Sequence, residues 1–168
     1  MGAPQQADLD LSISRVLGAP RHRVWRAWTD PRRLERWWVP RPSRCRVDAL
    51  ELVAGGDFRT SIGTGDGGDF RPHLTACVLA VEDEQRLVFT DALTAGWRPA
   101  LQPFMTAEIT LDHHERGTLY RARVLHRSLE DRATHEDLGF FDGWTTVVAQ
   151  LAELVETETE TETETETL

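Results

Sequence analysis

The stretch "RVWRAWTDPRRLERWW", residues 23–38, holds four of the chain's six tryptophans and five arginines. Val24, Trp25 and Trp28 fall on one helical face. Asp30 and Pro31 then restart the chain. Asp30 suits a helix N-cap, and Pro31 suits the first helical position, where no amide donor is missed. Leu34, Trp37 and Trp38 follow at i, i+3 and i+4 and make a second stripe. Pro40 and Pro42 end it. The spacing predicts two short helices with a tight joint and arginines on their outer, solvated faces. Helices this short are unstable alone. Each must therefore bury its indoles on a larger surface, and a tryptophan can bury ~150–250 Å². The indoles are anchors, and the surface they need is a sheet.

The flanking sequence supplies one. Leu9, Leu11 and Ile13 alternate with polar residues in "LDLSISRVL" and predict a half-buried first strand over 9–17. Beyond Arg44, strands are predicted near 45–53, 56–62, 73–82, 86–93, 104–113 and 117–126. Gly55-Gly56, the 63–69 loop, "EDEQ" at 82–85, the loop 94–103 and "HERG" at 114–117 punctuate them. Short joints favour an antiparallel meander. Ala107, Ile109 and Leu111 alternate with Glu108, Thr110 and Asp112. Tyr120, Ala122 and Val124 alternate with Arg121 and Arg123, so acids on one strand can meet arginines on the next.

The longest helical pattern runs from about Thr134 to Val155. Its stripe is Leu138, Phe141, Trp144 or Thr145, Val148, Leu151 and Val155. Gly139 and Gly143 cost roughly 1 kcal/mol each against alanine inside a helix. Close approach to the sheet or room for a ligand would offset that. After Glu156 the "TETETETETETL" repeat has no apolar face and only like charges, which predicts a disordered tail. The expected organisation is a flexible segment 1–8, one domain over 9–155 and a low-complexity tail over 156–168.

Composition removes several function classes. The net charge is −9 and lysine is absent, all 19 basic residues being arginine. Residues 15–46 carry ten arginines against Asp30 and Glu35, while 156–168 carry six glutamates and no base. This segregation leaves room for an acidic protein partner, or a homodimer contact, at the arginine-rich helix pair. A helix-turn-helix is disfavoured, because the second helix spends Leu34, Trp37 and Trp38 on burial and the chain is acidic; no nucleic-acid partner is expected. No apolar run approaches the ~18 residues of a membrane span, and the N-terminus has no secretory pattern. Two isolated cysteines, Cys45 and Cys77, without CxxC, point to packing roles in a reducing, cytoplasmic setting.

Order and wording together resemble the START-like (SRPBCC) superfamily, and within it the homologues of the heat-shock-protein-90 ATPase activator, a polyketide-cyclase-like family. The residues that carry this are "APRHRVWRAWTDPRRLERWW" (19–38), "LVAGGDFRT" (52–60), "VEDEQRLVFT" (81–90) and "LGFFDGWTTVVAQLAEL" (138–154). The family word often has a proline pair before "RLVFT", where this chain has Asp83-Glu84-Gln85. The resemblance implies an α+β helix-grip fold, in which a curved antiparallel sheet of about seven strands wraps a long C-terminal helix and an apolar cavity lies between them. Members bind lipid-like or aromatic molecules, some are cyclases, and others are co-chaperone modules.

Motif chemistry is sparse. "GTGDGG" (63–68) satisfies G-x-G-x-x-G, but Asp66 and Asp69 would repel phosphate and a strand pattern follows, so it is a hairpin loop. "HEDLG" at 135 lacks the second histidine of a zinc pair, since position 139 is Gly139. His113 and His114 point to opposite strand faces. No nucleophile elbow is present. No metal and no cofactor are expected.

Within the implied cavity the expected lining is Trp38, Phe58, Thr60, Phe89, Phe104, Ile109, Tyr120, Phe141 and Trp144, a mostly apolar set suited to a small hydrophobic or aromatic ligand. His73, Asp91, Tyr120 and His126 fall on the inner face by alternation and are the candidates for acid–base work. A cyclase, aromatase or dehydratase needs little more than a positioned proton carrier and a shaped pocket. Ligand binding is the leading expectation, such an enzyme the second, and a bacterial relative of the co-chaperone domain the third.

Overall fold

The computed structural model describes residues 5–158. A 3₁₀ turn at Gln6–Leu9 leads into β1 (Asp10–Leu17), followed by α1 (Arg21–Thr29) and α2 (Pro31–Leu34). The meander comprises β2 (Arg44–Leu50), β3 (Asp57–Gly63), β4 (Arg71–Glu82), β5 (Arg86–Thr90), β8 (Thr106–His114) and β9 (Gly117–Leu125). Two-residue strands β6 (Leu93–Thr94) and β7 (Arg98–Pro99) form a separate ribbon inside the β5–β8 connection. The chain then forms α3 (Leu129–Asp137) and α4 (Phe140–Thr157). The seven-stranded sheet runs β1-β9-β8-β5-β4-β3-β2, every pairing antiparallel. This is the α+β helix-grip arrangement that the sequence implies, with "GTGDGG" in the β3–β4 hairpin loop.

Alternation sorts the sheet into two faces. Ala107, Ile109, Leu111, Tyr120, Ala122 and Val124 are buried on the inner one. On the outer face Glu108 stands opposite Arg123. Arg86 Nε lies 2.8 Å from Glu108, and Arg123 Nε lies 2.9 Å from Asp10. These pairs are solvent-facing and contribute roughly 0–1 kcal/mol each. The inner face carries the energy.

The tryptophan segment packs on that face. Asp30 accepts a hydrogen bond from the Arg32 amide at 2.9 Å and caps α2, with Pro31 at its first position. Helix α2 is one turn long. The amides of Trp37 and Trp38 still return to the Leu34 carbonyl, at 3.2 and 3.1 Å, so the stripe survives past the helix end. Trp28, Trp37 and Trp38 meet edge to face, with centroids 4.9, 5.1 and 5.6 Å apart. Such contacts add about 0.5–1.5 kcal/mol beyond area burial. The Trp37 indole N–H also donates to the Ala27 carbonyl at 2.9 Å, locking α1 to the turn after α2.

Two arginines depart from the solvated face expected of them. Arg23 and Arg33 are buried. Arg23 Nη1 donates to the Val155 carbonyl at 3.1 Å, and Arg33 pairs with Glu158. Both act at the C-terminal end of α4, where unsatisfied carbonyls and the helix dipole favour cations. Their stems find apolar cover while their heads meet acceptors.

The C-terminal helix also differs from its predicted form. It is two helices, α3 capped by Ser128, which accepts from the Asp131 amide at 3.1 Å, and α4. The break is Gly139, whose φ of +94° is left-handed and costly for any side chain with a Cβ. Phe140, Val147, Val148, Leu151, Leu154 and Val155 are buried, whereas Leu138 and Phe141 are 74 % and 47 % exposed. Helix α4 also continues through Glu156 and Thr157, which the sequence assigns to the tail, and the Glu156 carboxylate accepts from the Gly18 amide at 2.9 Å. The disorder expected of the remaining tail lies outside the described residues, as do residues 1–4 of the segment 1–8 expected to be flexible, whose later part enters the 3₁₀ turn Gln6–Leu9.

One polar side chain ties α4 to the tryptophan segment. Gln150 is buried; its Nε2 donates to the carbonyls of Trp37 (3.0 Å) and Val39 (2.8 Å), and its Oε1 accepts from the Arg41 amide (2.9 Å). Gln150→Ala leaves three backbone groups without partners. At ~1–3 kcal/mol for each buried unsatisfied group, with some regained from water, a loss on the order of 3 kcal/mol is expected, measured by urea unfolding. A loss below about 1 kcal/mol would show the clamp to be incidental.

Candidate functional site

A cleft of about 340 Å³ opens between the sheet and the α3–α4 joint. Trp38 and Pro40 come from the tryptophan segment, and His73 and Leu74 from β4. Asp91, Phe104 and Met105 come from the β5–β8 connection, and His135, Leu138, Phe140, Trp144 and Val147 from the two C-terminal helices. Gly139 and Gly143 line it as well. The floor is aromatic: Trp38 meets Trp144 edge to face at 6.1 Å, and Trp144 lies 5.7 Å from Phe140.

The glycines have distinct roles. Gly139 supplies the left-handed turn. Gly143 sits inside α4, with no other group within 4 Å of where its Cβ would be. It therefore serves no close approach to the sheet. Its absent side chain leaves open space in the cleft.

Asp91 shapes the opposite wall. Its Oδ1 accepts from the amides of Phe104 (2.7 Å) and Met105 (2.9 Å). This pins the end of a long loop and presents Phe104 and Met105 to the cleft. Thr90, next in the chain, bonds the Met105 carbonyl (3.1 Å) and the Thr106 hydroxyl (2.8 Å) through Oγ1.

Two histidines on the walls are tied by hydrogen bonds. His73 Nδ1 meets the Thr60 hydroxyl at 3.0 Å. The residue is open to solvent along one side, yet desolvation of its ring lowers its pKa. His135 Nδ1 meets His126 Nε2 at 2.8 Å, and His126 Nδ1 meets the Leu9 carbonyl at 2.9 Å. The rings of Phe104 and Phe140 flank His135 at 4.8 and 5.0 Å. Desolvation first, and then the neighbouring His126, push the pKa of His135 down to about 4.

Of the residues the sequence nominates, Trp38, Phe104, Trp144, His73 and Asp91 lie on the cleft wall. Phe58 and Phe89 lie behind it, 6.0 and 6.3 Å from the Trp38 ring, and support that indole. Thr60 touches the site through His73. Ile109 and Tyr120 are in the core and Phe141 faces solvent, so none of the three is on the wall. Burial raises the Tyr120 pKa, and the Trp28 indole N–H beside it falls short of regular hydrogen-bond geometry. His126 stands behind His135.

His135, Phe140 and Met105 also line the cleft and were not among the residues expected there. For Phe140 a signal exists, since it leads Trp144 and Val147 at i, i+4 and i+7. For His135 the search for a metal partner looks forward to position 139, whereas its actual partner is nine residues earlier in the chain. Among the described residues no group of three metal-ligating side chains is gathered, and no helix is long and apolar enough to cross a membrane.

A family model described as "Activator of Hsp90 ATPase homolog 1-like protein" matches residues 18–156. The chain belongs to this family. Activator-of-Hsp90-ATPase-homologue domains are START-like, in keeping with the sheet and terminal helix described above. No curated protein matches the chain. Among solved structures, protein NE0264 from Nitrosomonas europaea is 40 % identical, with a TM-score of 0.80 over 89 % of this chain and 96 % of that one. Ms6760 from Mycobacterium smegmatis is 24 % identical, with a TM-score of 0.74 over 93 % and 96 % of the two chains. DynU16, a protein of the dynemicin biosynthetic locus, is 23 % identical with a TM-score of 0.60; the match covers 92 % of this chain and 48 % of DynU16. The last two similarities speak to the fold of this family member.

The depressed His135 pKa has a consequence for stability. Between about 4 and the unperturbed 6.5 the unfolded chain holds a proton that the folded chain does not. Stability therefore falls as pH drops through that window and levels off below it. His135→Phe removes this contribution, so the stability advantage of the variant over wild type should grow from about pH 7 to about pH 4.5, by urea unfolding. A pH-independent difference would contradict the half-buried, neutral ring.

Proposed function

We propose that the cleft binds a small, neutral aromatic or otherwise apolar molecule. The observation that carries this reading is Gly143. A glycine inside a helix costs about 1 kcal/mol against alanine, and here the cost is not offset by close packing, because a Cβ would meet nothing within 4 Å. What the glycine preserves is volume beside Trp144 and Phe140. A mostly apolar wall with a few placed polar groups suits such a ligand. No arginine lines the cleft, and Asp91 does, so anionic ligands such as fatty acids are disfavoured. Membership of a START-like family and the likeness to DynU16 are in keeping with this reading.

The alternatives draw less support. A cyclase-type enzyme would need a proton carrier at the wall, and the ones present are a carboxylate engaged with the Phe104 and Met105 amides and two histidines, His73 and His135, whose pKa values are both lowered by desolvation. A partner surface on the helix pair loses Arg23 and Arg33, which are turned inward to α4.

Naphthalene and its derivatives are suitable probes, read by isothermal titration calorimetry and by quenching of tryptophan fluorescence. Gly143→Leu should abolish binding while leaving the fold intact, and Gly143→Ala should stabilise the protein by about 1 kcal/mol. If Gly143→Leu binds the probes as wild type does, the cleft is not the site.

A further inference from the structure

The hydrogen bonds behind His135 determine what that residue offers to the cleft. The Leu9 carbonyl can only accept, so the His126 nitrogen 2.9 Å away, Nδ1, must carry a proton. A neutral imidazole has one N–H. In the neutral form of His126, Nε2 therefore holds a lone pair. The atom facing it at 2.8 Å is His135 Nδ1, which must be the donor. His135 is left with its lone pair on Nε2. Among the described residues no group donates to that nitrogen. The flanking Phe104 and Phe140 rings hold the imidazole plane in place.

We propose that His135 Nε2 is a dedicated hydrogen-bond acceptor on the cleft wall, held in that tautomer by His126, and that it selects aromatic ligands carrying a hydroxyl group. This rests on the binding reading above and narrows its ligand class to phenols. The rest of the wall agrees. Asp91 uses Oδ1 for both of its backbone bonds, and its Oδ2 has no hydrogen bond among the described residues. On the α3 and β5–β8 sides the polar groups are thus acceptors, the Trp38 indole N–H, unpartnered among the described residues, lies on the other wall, and no lysine or arginine joins them. A polar group that meets His135 Nε2 or Asp91 Oδ2 has to bring its own proton. A carboxylate would face lone pairs and a negative charge.

The same arrangement separates holding a hydroxyl from deprotonating it. A free phenol has a pKa of about 10, and His135 is held near 4. Proton transfer between them would be uphill by about a millionfold. His135 is therefore an acceptor that leaves the hydroxyl intact, and His126 is a positioning residue acting through it.

The test compares 2-naphthol, 2-methoxynaphthalene and 2-naphthoate by calorimetry at about pH 7, with wild type, His135→Leu and His126→Phe. Wild type should bind 2-naphthol about five- to tenfold more tightly than 2-methoxynaphthalene, the worth of one hydrogen bond, and 2-naphthoate most weakly. His135→Leu should keep 2-methoxynaphthalene within about twofold and lose the preference. A preference that is missing in wild type, or that survives in His135→Leu, overturns the inference and leaves the binding reading standing; no binding of any naphthalene removes both. Nitrogen-15 NMR of the ligand-free protein gives a readout independent of ligand. His135 Nε2 should be unprotonated and Nδ1 protonated, and His126→Phe should shift this balance. A protonated His135 Nε2 in the wild-type protein overturns the inference.

Discussion

The amide of Gln150 holds together the two halves of the molecule that meet at the cleft. Its three hydrogen bonds join the middle of α4 to the backbone at Trp37, Val39 and Arg41. That segment has no regular secondary structure of its own to satisfy those groups. A buried, fully used side-chain amide is geometrically demanding. It permits one position of the helix relative to the tryptophan turn, and so one placement of Trp38 against Trp144. The aromatic floor of the cleft follows from that placement, with Phe58 and Phe89 supporting the Trp38 ring from behind.

Charge performs a related task at the helix end. Arg23 and Arg33 leave the solvated face to reach the last turn of α4, where Val155 and Glu158 receive them. Arg41 and Glu153 add an exposed pair, 3.0 Å apart, on the same side. The basic character of the first helices and the acidic character of the C-terminal segment thus have an internal meaning. They complement one another across an intramolecular contact, and the burial of two guanidinium groups makes it much less subject to screening than a surface pair.

Most of the fold was legible because it rests on local periodicities. The alternation in Thr106–His114 and Gly117–Leu125, the Asp30-Pro31 joint and the indole stripe each depend on a few neighbouring residues. The site was less legible because its geometry depends on one dihedral angle. Gly139 in the left-handed region splits the C-terminal helix and sets Phe140 at the head of α4, where Phe140 is buried and Phe141 is turned out. Within α4 the phase that buries Phe140 with Val147 and Leu151 leaves Phe141 at the edge of the stripe. Tyr120 was placed on the correct face of its strand, but face alone does not tell core from cavity. The His126–His135 contact joins the end of a strand to a later helix, and no periodicity encodes such a pair.

The pairing of β1 with β9 has a consequence for how the protein is made. The first strand has no partner in the sheet until the last one arrives, and α4 completes the core after that. A chain emerging from the ribosome therefore carries four early tryptophans with no finished surface to cover them. A topology that closes on two strands so far apart in sequence folds slowly and leaves apolar surface exposed in the interim. The arginines between those indoles then have a second use, as like charges that keep nascent chains apart before the terminal helix closes over them.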